Sequence, residues 1–122
     1  MYADLDVYCH KPMDDLFDDH HDLYFYLSLS AKANDWPFAG NAWMYARVPG
    51  HPFWEDLMQF NCLYTSKGDQ HKNILWHTGP KSVGHVLEYH MRKNPDHRIL
   101  IVSHEIVGNN GEGYNQYATH HR

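Results

Sequence analysis

The sequence has no long apolar run. No stretch approaches the roughly 20 consecutive apolar residues that a bilayer-spanning helix needs. The start of the chain is acidic and lacks the charged-then-apolar layout of a secretory leader, so nothing in it assigns a compartment. Cysteine is scarce: Cys9 and Cys62 stand far apart and form neither a zinc framework nor a CxxC redox pair. Both are expected to be free and partly buried. Positive charge is also short, with ten Lys and Arg against fifteen Asp and Glu and a formal charge of −5. A chain that grips phosphate backbones electrostatically needs the opposite balance, which sets nucleic acid aside as a partner. HExxH, GxSxG and P-loop motifs are absent, so zinc-peptidase, serine-hydrolase and NTPase readings lack support.

What is present is a foldable chain of 122 residues, 43% apolar and 15% aromatic, enough apolar area to offset ordering entropy. No internal repeat, low-complexity tract or domain boundary interrupts it, which fits a single domain over residues 1–122. The acids crowd into the first 35 residues: Asp4, Asp6, Asp14, Asp15, Asp18, Asp19, Asp22 and Asp35 face only Lys11 and Lys32. That imbalance suits a cation. Twelve histidines are unusual for this length and add metal-ligating and acid–base capacity.

Periodicity predicts an α/β chain. Residues 2–8 alternate apolar and polar as a strand does. Pro12, then Met13, Leu16 and Phe17 at helical spacing, predict a short helix over 12–19. Strands follow over 23–29 and 42–48, separated by a loop-like Asp35-Trp36-Pro37-Phe38-Ala39-Gly40 segment. Pro52 opens a helix over 52–65 with a core stripe of Phe53, Trp54, Leu57, Met58, Phe60 and Tyr64. Residues 67–73 read as a polar connection. A second long helix, 80–92, starts after Thr78-Gly79, keeps its rhythm through Val83, Val86, Leu87, His90 and Met91, and stops at Asn94-Pro95-Asp96. Ile99 to Val102 reads as a buried strand, 109–113 as a turn, and 117–122 as a last edge strand.

Asp4-Leu5-Asp6 carries the most specific chemistry. In an extended segment its carboxylates at i and i+2 point the same way. Such an oxygen pair suits Mg²⁺ or Mn²⁺, which take one or two protein carboxylates and fill their other positions with phosphate oxygens and water. By itself Asp-x-Asp is a common tripeptide. The Asp18, Asp19, His20, His21 and Asp22 run invites a second metal reading, but adjacent side chains on a helix diverge, and a solvated acidic turn is the simpler account.

The flanks of Asp4-Leu5-Asp6 narrow the reading. Tyr2-Ala3-Asp4-Leu5-Asp6-Val7-Tyr8, followed by Lys11-Pro12, resembles the DXD-containing sugar-binding region of glycosyltransferase family 32, which includes mannosyltransferases and inositol-phosphoceramide mannosyltransferases. Three later blocks fall in the same order: Gly40-Asn41-Ala42 with Pro49-Gly50-His51-Pro52-Phe53, then Thr78-Gly79-Pro80, then Tyr117-Ala118-Thr119-His120-His121. The resemblance implies a partial GT-A-like fold, a short mixed sheet flanked by helices. It implies transfer of a hexosyl group from a UDP- or GDP-sugar to a glycan, lipid or protein acceptor, with retention and with Mn²⁺ or Mg²⁺ as cofactor. Asp6 would ligate the metal directly and Asp4 would touch the metal or the donor. His120 would be a late metal ligand or diphosphate contact. Asn41 and Ala42 would lie near the donor sugar, and Thr78 and Gly79 near its phosphates, where helix-end amides favour anions. No general base is named, because the departing phosphate can itself accept the acceptor's proton.

The chain departs from the family in starting almost at the Asp-x-Asp strand, where relatives place nucleotide-binding strands first. Two alternatives follow. One is a non-catalytic remnant or interaction module that keeps the core and the metal site, its open sheet edge favouring a partner chain or a second copy. The other is a His-rich metal-binding domain, which predicts tight Zn²⁺ or Ni²⁺ binding that survives loss of both Asp4 and Asp6.

Overall fold

A computed structural model describes residues 1–28, 38–65, 78–109 and 117–120. Their order is β1 (Tyr2–Ala3), β2 (Val7–Cys9), a 3-10 turn (Asp14–Leu16), β3 (Leu23–Ser28), β4 (Phe38–Ala46), α1 (Pro52–Thr65), α2 (Pro80–Lys93), β5 (Ile99–Val102), β6 (Val107–Asn109) and β7 (Ala118–His120). Two mixed sheets form, a four-stranded one ordered β1-β4-β3-β5 and a three-stranded one ordered β2-β7-β6. The architecture is α/β, as the periodicity predicts.

β3 organises both cores. Its run Leu23, Tyr24, Phe25, Tyr26 is buried residue after residue. In a strand successive side chains point to opposite faces, so an unbroken buried run means that both faces are covered. Leu23 and Phe25 pack with Phe53 of α1 and with Val83, Val86 and Leu87 of α2. Tyr24 and Tyr26 pack the other way, against Met13, Trp43, Val107 and Ala118. The four-stranded sheet is thus sandwiched between the two helices and the small second sheet.

Both long helices begin as the sequence predicts. Gly50 takes φ +70°, a left-handed turn that glycine adopts without a Cβ penalty, just before Pro52 enters the first turn. Gly79 is the extended N-cap of α2, with Pro80 in its first turn. α2 presents Val83, Val86, Leu87 and His90 to the core at helical spacing. It ends where the Asn94 backbone and side-chain amides both donate to the His90 carbonyl, at 2.9 and 3.0 Å. In the α1 stripe Phe53 is fully buried and Trp54, Leu57 and Phe60 are half-buried, but Met58 is exposed. Tyr64's side chain lies outside the described residues, as do the 67–73 connection and 110–113 of the predicted turn.

Several expectations are corrected. The strand over 2–8 is two short strands in different sheets, split by a turn in which the Val7 amide donates to the Asp4 carbonyl at 3.1 Å. The helix over 12–19 is only a 3-10 turn over Asp14–Leu16. The chain leaves the helical path at once: Phe17 is extended, and the Asp18 amide donates to the Tyr24 hydroxyl at 2.8 Å instead of to a carbonyl of the preceding turn. β4 starts at Phe38, so Phe38, Ala39 and Gly40 are strand rather than loop. β5 is an edge strand with Ile101 exposed between buried Ile99 and Val102. The C-terminal strand is the centre of its sheet, not an edge. Cys9 and Cys62 are both exposed. No described helix is long and apolar enough to cross a membrane.

Candidate metal and donor site

The turn between β1 and β2 carries Asp4, Leu5 and Asp6, with Leu5 fully exposed at its tip. β1 pairs with β4, setting Ala3 opposite Trp43, and the Asp4 amide extends that pairing by donating to the Ala42 carbonyl at 2.8 Å. β2 pairs antiparallel with β7, setting Val7 opposite His120. The two pairings fix both ends of the turn, and the second brings the C-terminal strand against it. His120 Nε2 lies 3.3 Å from Asp6 Oδ1. Asp4, Asp6 and His120 each offer a ligand atom, all within 4.8 Å of one another.

The carboxylate pair expected from the sequence is therefore in place, by a turn rather than by alternation along one strand. Asp4 is further held by the Tyr2 hydroxyl, which donates to Asp4 Oδ1 at 2.6 Å. That bond, with the carboxylate's charge, raises the phenol's pKa above its ordinary value. Asp4 and His120 are half-buried, whereas Asp6 is 53% exposed and faces outward. The neighbouring ladder is reinforced by His10, whose amide donates to the Tyr117 carbonyl at 2.7 Å and whose ring meets the Thr119 hydroxyl at 2.8 Å. The Lys11 ammonium sits 3.8 Å from the centre of the Tyr117 ring.

Asn41 and Ala42 lie beside this turn, in an irregularity of β4. Phe25 pairs with Met44, yet the next residue, Tyr26, pairs with Gly40. Asn41, Ala42 and Trp43 are the surplus residues, a bulge of the kind that re-aims side chains next to functional sites. Gly40 is required here, because a Cβ would meet the Tyr26 ring at 2.0 Å. Trp43 adds a feature that the sequence did not signal: its indole Nε1–H is buried with no hydrogen-bond partner among the described residues. An orphaned buried donor is unusual and stands one residue beyond Ala42, in register with the strand that leads into Asp4.

Topology groups these parts at one edge. β1 and β3 are both antiparallel to β4 and hence run the same way, and β5 is parallel to β3. Asp4 thus follows the carboxyl end of a strand, the edge where open α/β sheets hold ligands. The short link 94–98 joins the end of α2 to the start of β5 at the opposite edge, so α2 runs away from the edge that holds Asp4. Thr78 and Gly79 stand at that helix start, where Gly79 caps the helix: the Ser82 amide and hydroxyl donate to its carbonyl at 3.1 and 2.9 Å. They are not members of the ligand cluster around Asp6.

The second acidic run is structural. Desolvation opposes ionisation of Asp18, but hydrogen bonds from Tyr24, His21 and the His20 and His21 amides hold its carboxyl well below the carboxylate range. Asp22 is likewise desolvated, yet held low by Arg47 at 2.5 Å and Arg98 at 3.1 Å.

No family model matches the chain, and the searches of curated proteins and of solved structures return no significant match either.

Proposed function

We propose that this chain is a metal-dependent glycosyltransferase of the DXD type, with a GT-A-like core, that transfers a hexosyl group from a UDP- or GDP-sugar to an acceptor hydroxyl. The observation that carries the reading is the convergence of Asp4, Asp6 and His120 within 4.8 Å at the carboxyl edge of the sheet. These side chains come from opposite ends of the sequence, and they are the ones the family resemblance singles out. Two carboxylates and one imidazole, with Asp6 open to solvent, fit Mn²⁺ or Mg²⁺ bound partly through ligand phosphates.

In this reading Asp6 and His120 hold the ion, and Asp4, fixed by Tyr2 and by its amide bond to Ala42, orients the ion and the donor. When bound, the metal neutralises the diphosphate and makes it a better leaving group. Asn41 and Ala42, in the β4 bulge, lie nearest the donor sugar. The Thr78–Gly79 helix start offers amides to the phosphates, since helix N-termini favour anions. In a retaining transfer the leaving phosphate would itself take the acceptor's proton, so no residue is named as the base.

The test is titration of the chain with Mn²⁺ and with UDP- and GDP-sugars, followed by donor hydrolysis or transfer. Activity that disappears in Asp6→Ala supports the enzyme. Metal binding without nucleotide affinity supports the non-catalytic module instead, a reading that β5 also favours, since it is an edge strand among the described residues and exposes Ile101. Loss of neither metal nor nucleotide affinity in Asp6→Ala overturns the donor-site assignment.

A further inference from the structure

A second constellation lies at the opposite edge of the sheet, where β3 and β5 begin. His51 precedes α1, His90 is on the core face of α2, and His97 is in the link to β5. One ring nitrogen from each lies within 4.8 Å of the others. His90 is 1% exposed and His51 is also buried. A histidine in the apolar stripe of a helix needs partners for both nitrogens, and His90 has them: Asp56 Oδ2 lies 2.6 Å from its Nδ1, and His97 Nδ1 lies 2.9 Å from its Nε2.

From this geometry we infer that His51, His90 and His97 form a binding site for a transition-metal ion of the Zn²⁺ class, with Asp56 orienting His90 from behind. The carboxylate fixes the tautomer, holding the His90 proton on Nδ1 and leaving the Nε2 lone pair towards the other two rings. A carboxylate behind a ligating histidine is the usual support of protein zinc sites. Imidazoles are preferred by zinc, copper and nickel, whereas the Asp4 cluster is oxygen-rich and suits harder ions.

Binding requires local adjustments at all three rings. Tetrahedral zinc with Zn–N bonds of about 2.0–2.1 Å sets ligand nitrogens about 3.3 Å apart, so the His90 and His97 rings must open by a few tenths of an ångström. His97 must pass its proton from Nδ1 to Nε2. His51 must give up one weak cap, since its Nδ1 accepts the Phe53 amide at 3.2 Å. Three protein ligands leave the fourth position to water. The bound ion would tie the start of α1, the end of α2 and the link to β5 into one knot.

The experiment uses the full chain, stripped with EDTA and titrated with Zn²⁺ against a chromophoric chelator. The parent should bind one Zn²⁺ ion that survives Asp4→Asn/Asp6→Asn, with a thermal midpoint raised by the ion in both. His97→Gln, at a half-buried link position, should weaken binding at least tenfold and abolish the thermal shift while far-UV circular dichroism shows an unchanged fold. Imidazole ¹H–¹⁵N spectra of the parent provide a readout that needs no variant: Zn²⁺ should displace the ring resonances of His51, His90 and His97 together. A parent that takes up no Zn²⁺, parental affinity in His97→Gln, or ring resonances that stay put would each overturn the site. None of these results bears on the donor site, which is tested by Mn²⁺ and nucleotide-sugars at the other edge.

Discussion

His120 Nε2 stands 3.3 Å from Asp6 Oδ1, although one residue belongs to the first turn of the chain and the other to its last strand. The antiparallel register of β2 on β7 creates the contact, since it sets Val7 opposite His120 and so leaves Asp6 adjacent. His120→Ala should therefore weaken Mn²⁺ binding at least about tenfold, the scale lost when groups supporting a metal site are removed. His120→Asn should recover part of it. Electron paramagnetic resonance of free Mn²⁺ measures both, and equal affinities for all three proteins would remove His120 from the site.

Gly40→Ala should destabilise the fold by about 1–3 kcal/mol, the usual cost of overpacking. The added Cβ would stand 2.0 Å from the Tyr26 ring, and Tyr26 is itself buried and cannot swing away. In a Tyr26→Ala background the same substitution should cost much less. Urea denaturation of the four proteins gives the coupling energy, and simple additivity would contradict the clash.

Phe53→Ala should cost about 3–5 kcal/mol, in the range of buried aromatic truncations. Phe53 is fully buried and meets Phe25 edge-on, with ring centres 5.2 Å apart, so it joins α1 to the central strand. Met58→Ala on the same helix is a control; its side chain is exposed and its loss should be nearly neutral. The urea midpoints rank the two directly.

Acid should selectively erase the contribution of Asp22. Desolvation notwithstanding, Arg47 and Arg98 hold its folded-state pKa below the unfolded value. A depressed carboxyl stabilises the fold above its unfolded pKa of about 3.9, and that contribution is lost as pH falls through the folded pKa. Asp22→Asn should be less stable than the parent at pH 7, and the gap should close below about pH 4. A gap that stays constant down to pH 2 would show that ionisation is not what Asp22 contributes.

Local chemistry made much of this protein legible from its residues. The starts of α1 and α2 are written by Gly50 with Pro52 and by Gly79 with Pro80, because a left-handed turn or an extended cap followed by a fixed φ needs no distant partner. Of the predicted stripe, Val83, Val86, Leu87 and His90 form the buried face of α2 because helical spacing alone puts those side chains together, whereas Met91, counted in the same rhythm, is exposed. Asp4, Asp6 and His120 were legible as candidates through motif order.

What the sequence did not determine is where long-range pairing wins over local pattern. Alternation over residues 2–8 favours one strand, yet β4 and β7 each claim one end of it, and the carboxylates end in a turn between two sheets. Residues 12–19 have helical spacing, but the hydroxyl of Tyr24, from the central strand, takes the Asp18 amide that a helix would use. The meeting of His51, His90 and His97 depends on how two helices and a link close over β3, and no spacing rule relates those positions. Asp-x-Asp was thus a property of the sequence, whereas its alignment with His120 and the separate histidine cluster at the other edge were decided by tertiary structure, because only sheet register and helix packing bring such distant residues within ligand distance.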